Sequence, residues 1–164
     1  MGLHVVYDDI CKSECDVIVN AANGIGFMGG FLGRYIKFSG VSENINFATR
    51  GMVENEAMLK CLKHYLFGYM PGSIYITKGY NLKCKCVFHA VTMWFPGTFS
   101  TLQTVKRLLP KIIDKAREMQ LTSIAIPLLG TGVGRLKPEK IMKLYCRFFD
   151  DIDDIEAYIY VKND

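Results

Sequence analysis

The sequence predicts a three-layer α/β/α domain with a mixed, mostly parallel central sheet, on three observations. Strand-length apolar runs alternate with amphipathic helical stretches along the whole 164-residue chain. The strand runs at Asp16–Val19 and Ser123–Leu129 are apolar almost throughout, as strands covered on both faces are. Both run directly into glycine-rich loops. In open α/β sheets that is where ligands sit, beyond the carboxyl ends of the strands.

Taken in order, His4–Tyr7 reads as a strand closed by Asp8-Asp9, and Asp16–Val19 as the second strand. Asn20 and Asn23 then lead into a loop holding Gly24, Gly26, Gly29, Gly30 and Gly33, and Leu32–Phe38 looks helical. Residues 39–51, polar and punctuated by Gly40 and Gly51, read as mostly loop. Met52 to Phe67 carries an apolar stripe at Met52, Val53, Ala57, Leu59, Leu62, Tyr65 and Leu66. Pro71-Gly72 is a turn, and Ser73–Thr77 and Lys85–Thr92 are strands around the Gly79-Tyr80-Asn81 turn. Ser100 with Gln103 suits a capping box. Leu102, Val105, Leu109, Ile112, Ile113 and Ala116 follow at helical spacing, with Pro110 expected to kink or split that helix. After Ser123–Leu129 comes the loop Gly130–Gly134. Pro138 fits the first turn of a helix carrying Ile141, Leu144, Tyr145 and Phe148, and Ile155–Val161 closes the sheet.

Length and composition fit one domain over residues 1–164: half the residues are apolar and under a quarter charged, which excludes a disordered chain. No apolar run approaches the ~20 residues of a membrane span, and no signal-peptide pattern opens the chain, so a cytoplasmic location is expected. The six cysteines are then expected to be thiols, mostly buried. A net charge of +4 slightly favours an anionic ligand and is too mild for a dedicated nucleic-acid binder. Lys83, Lys85, Lys106, Arg107 and Lys111 would be the footprint of such a module, but they are scattered and lack interleaved aromatics.

A strand, a glycine-rich turn and a helix N-terminus form an anion cradle: backbone N–H groups and the positive helix end both point at the loop. The first loop has neither the Gly-Lys-Ser/Thr of a P-loop nor a true G-x-G-x-x-G. If the strands at 17–19 and 124–127 are parallel neighbours, the two glycine loops face each other across one cleft. Two facing loops suit a ligand with two phosphates.

These residues resemble the macro domain, the ADP-ribose-binding module, over almost the whole chain. Val17-Ile18-Val19-Asn20-Ala21-Ala22-Asn23 reproduces the family's V-I-V-N-A-A-N strand, and Met28-Gly29-Gly30 its glycine run. Gly72–Leu82 resembles the strand ending in T-x-G-Y-x-L, Val87–Val91 the V-I-H-x-V strand, and Ser123–Gly132 the S-I-A-F-P-x-x-G-T-G loop. The resemblance implies that Asp9, with Ile10, takes the adenine amino group, although Asp8 stands where the family has glycine. It implies that Asn20 and Asn23 are ligand-binding residues, with Asn23 holding the distal ribose. It places the backbone of Gly29, Gly30, Phe31 and Leu32 on the diphosphate and distal ribose. Gly130, Thr131, Gly132, Val133 and Gly134 would wrap the diphosphate from the other side. It implies no cofactor and no metal. The partner is ADP-ribose or an ADP-ribosylated macromolecule, with nucleic acid only if ADP-ribosylated and no membrane.

Relatives divide into hydrolases and pure readers. One hydrolase branch has an aspartate soon after the glycine run, where this chain has Phe31-Leu32-Gly33. A second, including enzymes acting on ADP-ribosylated glutamate and DNA, uses a lysine and an aspartate at positions occupied here by Met93 and Gly134. Viral macro domains hydrolyse with the asparagine and an ordered water, which Asn23 with Gly29-Gly30 would permit. Hydrolysis through Asn23, a non-catalytic reader, and a nucleic-acid or partner-binding module all remain open from sequence.

Other motifs have plainer readings. Cys11-x-x-x-Cys15 and Cys84-x-Cys86 lack the usual zinc spacing, with Cys84 and Cys86 expected on one face of a strand. Asp150–Asp154 lacks the glycine and distal glutamate of a calcium loop and reads as solvated. His89, between Val87 and Val91, reads as a core histidine. Trp94 or Phe95, in a segment departing from the family's usual G-P, lines the distal-ribose end or simply packs. Tyr160 is the candidate for stacking on adenine, or else faces the core.

Overall fold

The computed structural model describes residues 2–64 and 68–162. Its centre is strand β2, Val17–Asn23, between β5 (Ser123–Pro127) and β4 (Cys86–Met93) in the order β1-β6-β5-β2-β4-β3. β1 (Leu3–Val6), β6 (Glu156–Tyr160), β5, β2 and β4 run parallel, and β3 (Ile74–Lys78) pairs antiparallel with β4 at the edge. The mixed, mostly parallel sheet is therefore as the sequence predicts.

Alternation along β2 shows why there are three layers. Val17 and Val19 enter a cluster with Leu108, Ile112 and Tyr145, from α4 (Leu102–Glu118) and α5 (Pro138–Phe149). Ile18 and Ala22 point the other way, to Ile45, Val53 and Ala57 of α2 (Val41–Ala48) and α3 (Met52–Lys63). With both faces covered, Val17, Ile18 and Val19 are all wholly buried, and a strand without polar alternation results.

Several local expectations change. Residues 39–51 are not mostly loop, because α2 spans Val41–Ala48 and buries Ile45 and Asn46. Its polar letters hid a helix that tertiary burial stabilises. The helix expected over Leu32–Phe38 is instead one turn, α1, Gly30–Gly33, with only Gly33 buried. Tyr35, Ile36 and Phe38 are exposed, so no apolar face rewards its continuation. Pro110 does not split α4, since it lies on the exposed side while Leu108, Leu109, Ile112 and Ile113 hold the other face in the core. The α4 cap is one residue late: Thr101 Oγ1, not Ser100, accepts from the Thr104 N–H at 3.1 Å. The described part of α3 ends at Lys63, so the expected helical Tyr65, Leu66 and Phe67 lie outside the described residues.

All six cysteines are thiols, and Cys15, Cys61, Cys84 and Cys86 are buried. Cys84 and Cys86 do not share a face. Cys84 precedes β4 and packs toward α2 and α3, whereas Cys86 packs toward α4 and α5. His89 is the buried core histidine expected. Its Nδ1 meets Asn20 Nδ2 at 3.2 Å, its Nε2 meets Thr77 Oγ1 at 2.9 Å, and its ring stacks on Tyr75 at 4.6 Å. Among the described residues no helix is long and apolar enough to cross a membrane.

Candidate functional site

Parallel pairing of Val17 with Ile124 and Ile18 with Ala125 makes β2 and β5 direct neighbours. The loops that follow them therefore emerge side by side at the carboxyl edge of the sheet. Asp9, after the parallel strand β1, lies at the same edge. These are the segments in which the resemblance places ligand groups.

The first loop is shaped by close backbone approach. A Cβ on Gly24 would overlap the Tyr69 carbonyl, and one on Gly26 (φ 78°) would sit 2.7 Å from the Ala57 carbonyl carbon. Asn23 braces the loop from inside: Nδ2 donates to the Phe27 carbonyl at 2.7 Å. Oδ1 accepts from the N–H groups of Ile25 (3.3 Å) and Phe27 (3.1 Å). One N–H of the Asn23 amide remains for a ligand. Asn20 does not belong with it. It is wholly buried, bonded to His89 and, through Oδ1, to Ser42 Oγ at 2.8 Å, because strand alternation aims it into the α2 layer.

The loop amides divide into two sets. Met28 and Gly30 both donate at 2.8 Å to one oxygen of Glu54, a side chain of α3 that is 0% exposed. The Gly30 N–H is therefore spent on the carboxylate beneath and is not open to a ligand as expected. The N–H groups of Gly29, Phe31 and Leu32 have no partner among the described residues. Asn46 Nδ2 adds a bond to the Gly30 carbonyl at 3.1 Å. Sequence reading missed Glu54 and Asn46, whose partners are backbone groups that leave no mark in the sequence.

The second loop turns at Gly130 (φ 77°), where Leu136 N–H closes onto the Gly130 carbonyl at 2.9 Å. Tyr145 Oη pins its base by accepting from the Leu129 N–H (3.1 Å) and donating to the Pro127 carbonyl (2.8 Å). Thr131 folds back, its N–H and Oγ1 both donating to the Leu128 carbonyl, so neither is free for the diphosphate contact expected of it. Gly130, Gly132, Val133 and Gly134 keep their N–H groups without partners among the described residues. A Cβ on Gly134 would overlap Ser100 Oγ, a buried hydroxyl that the sequence reads as a helix cap and not as part of this loop.

At the third segment, Asp9 caps a 3₁₀ turn, Ile10–Lys12, with Oδ1 accepting from the Cys11 N–H at 3.0 Å. Its Oδ2 is held by Lys37 Nζ at 2.7 Å. Partial burial pulls the Asp9 pKa upward, but Lys37 and the Cys11 N–H outweigh it and leave the carboxyl below its ordinary range. Ile10 buries its side chain in the core beside β2 and leaves its N–H without a partner among the described residues. Tyr160 is half-buried and packs toward the same core. Trp94 is half-buried and Phe95 is exposed, their rings 6.1 Å apart.

Chemically, this arrangement presents hydrogen-bond donors to an anion. Two acidic side chains at the loops are engaged, Asp9 with Lys37 and Glu54 with the first loop, while Glu43 of α2 lies against Gly29, its Cγ 3.2 Å from where a Cβ on Gly29 would sit. Met93, the last residue of β4, and Gly134 bring no titratable group. Of the scattered basic residues, Lys83 pairs with Glu14, Lys85 pairs with Asp16 at 2.7 Å, and Lys111 donates to the Gly72 carbonyl at 2.6 Å. Arg117 similarly grips Asp154 at 2.7 Å within the acidic stretch before β6.

Known proteins share this architecture. An Aquifex aeolicus protein is 34% identical over 139 residues, covering 85% of this chain and 75% of its own. Thermoplasma acidophilum protein Ta1105 is 34% identical over 135 residues, 80% of this chain and 64% of its own. Among solved structures, the macrodomain of Mycobacterium tuberculosis DarG superposes with a TM-score of 0.81 at 21% identity, over 97% of each chain. Thermosipho africanus DarTG in complex with ADP-ribose superposes with a TM-score of 0.79 at 20% identity, over 98% of this chain and 41% of that one. At these identities the structures speak for the fold. The macro domain family model matches residues 19–145, from β2 through both glycine loops into α5, and the chain belongs to the macro domain family.

Proposed function

We propose that this protein binds ADP-ribose, free or as a mono-ADP-ribosyl group on a macromolecule, in the cleft between the two glycine loops. The observation that carries the reading is the pair of facing donor sets. Gly29, Phe31 and Leu32 in one loop, and Gly130, Gly132, Val133 and Gly134 in the other, hold backbone N–H groups without partners among the described residues. Stacked amides of this kind match phosphate oxygens, and two sets match a diphosphate. Asp9 supplies an acceptor at the adenine end, and the spare N–H of Asn23 donates to a hydroxyl of the distal ribose. The ADP-ribose complex of the structurally similar DarTG supports the same occupant.

Binding without turnover is the form of this function we favour. Hydrolysis needs a water oriented at the anomeric carbon and a place for its proton. Both acceptor positions of the Asn23 amide already serve the loop, and an amide oxygen is too weak a base to take the water's proton. Incubation with mono-ADP-ribosylated aspartate and glutamate peptides, and with ADP-ribosylated DNA, is expected to give retention of the modified substrate and no released ADP-ribose. Release that disappears in Asn23→Ala would make the protein a hydrolase.

A further inference from the structure

Resting on that reading, we propose that Glu54 is the positioning residue of the diphosphate cradle: a buried acceptor whose reach fixes the inner loop amides and so aims the outer ones at the ligand. The backbone makes this possible at one place. Gly29 (φ 107°) and Gly30 (φ 62°) are consecutive left-handed residues, a conformation side chains rarely accept. Across them the N–H groups of Met28 and Gly30 converge on the same Glu54 oxygen, at 2.8 Å each. The N–H of Gly29, between them, and those of Phe31 and Leu32 at the start of α1 have no partner among the described residues.

A carboxylate at 0% exposure is costly to keep charged without compensation. Here the compensation is the two loop amides, plus the Arg34 guanidinium, whose Nη2 lies 3.5 Å from the other carboxylate oxygen. Arg34 is itself fixed by Asn55 Oδ1 at 2.7 Å, one residue along α3. Arg34 also offsets the negative charge that Glu54 would otherwise set beneath an anion site. The loop is thus ordered before ligand arrives, which removes an ordering cost from binding. A residue that served stability alone would have no reason to discriminate between ligands that do and do not reach this loop.

The test sets two variants against each other by calorimetric titration with ADP-ribose and AMP. Glu54→Asp keeps the charge but is a methylene too short to reach both amides. Glu54→Gln keeps the reach and one carbonyl acceptor but loses the charge. The expected result is ADP-ribose binding ~10-fold weaker in Glu54→Asp and within ~3-fold of wild type in Glu54→Gln, the larger change matching about one hydrogen bond lost. AMP affinity is expected to hold within ~2-fold in both, since AMP lacks the groups that reach the first loop. Wild-type ADP-ribose affinity in Glu54→Asp, or equal losses for AMP and ADP-ribose, would overturn the positioning role and leave the binding reading standing. Glu54→Gln weaker than Glu54→Asp would overturn it in favour of a charge effect. A wild-type protein that fails to bind ADP-ribose removes both the inference and the reading beneath it.

Discussion

Asn23→Ala is expected to weaken ADP-ribose binding by ~100-fold, or about 3 kcal/mol, while the protein remains folded. The size follows from what the amide holds. Three hydrogen bonds tie Asn23 to Ile25 and Phe27, and each is worth about 1 kcal/mol in a folded protein. Without them, residues 24–27 lose the internal brace that presents Met28-Gly29-Gly30 to the cleft, and the ligand loses the remaining N–H as well. The backbone of β2 is untouched by the change, because the ladder to β4 is made by main-chain groups. Calorimetry reads the affinity, and a thermal melt checks the fold. An affinity within ~3-fold of wild type would show that the loop orders itself without Asn23.

The second large effect is on stability in acid. His89 is wholly buried between Asn20, Thr77 and Tyr75, and burial drives its pKa down to about 3, with Lys60 adding to the same direction. As pH falls through about 6.5 the unfolded chain takes a proton on this histidine, while the folded chain refuses it until about pH 3. Unfolding therefore takes up a proton, and stability falls with falling pH at up to about 1.4 kcal/mol per pH unit from this residue. The lowered carboxylates act later. Asp16, held down to about 2 by Lys85 and by Thr122, loses its contribution only below its ordinary 3.8. Urea titrations between pH 7 and pH 4.5 are expected to show the decline before the carboxylates enter. A flat profile over that range would mean that His89 takes up its proton inside the fold.

The sheet was legible because its signal is apolar periodicity. The uninterrupted Val17-Ile18-Val19 and Ile124-Ala125-Ile126 runs announced strands buried on both faces, and both are wholly buried. The cleft was legible for the same reason, since both glycine loops sit where those strands end. What sequence could not carry was the direction of backbone groups. Gly29 and Gly30 are identical letters, yet the N–H of Gly30 is held by Glu54 while that of Gly29 has no partner among the described residues. Glu54 itself reads as one more polar residue on a helix. Asn20 shares strand parity with Ile18 and Ala22, so alternation, followed through, would have placed it in the core beside His89. The α2 helix escaped because Ser42, Glu43, Asn44 and Asn46 break up the apolar face that Val41, Ile45 and Ala48 turn to the core. Lys37, seated on Asp9 from across a turn of unpredicted shape, is a tertiary contact that no local spacing reports.

The central claim is that two sets of backbone amides and Asp9 read one ligand end to end. Calorimetric titration of the wild-type protein with ADP-ribose, ADP and AMP tests it most directly. One site per chain is expected, with affinity rising from AMP to ADP to ADP-ribose and at least ~10-fold separating the first from the last, about one added hydrogen bond or more. ADP-ribose bound no more tightly than AMP would contradict it.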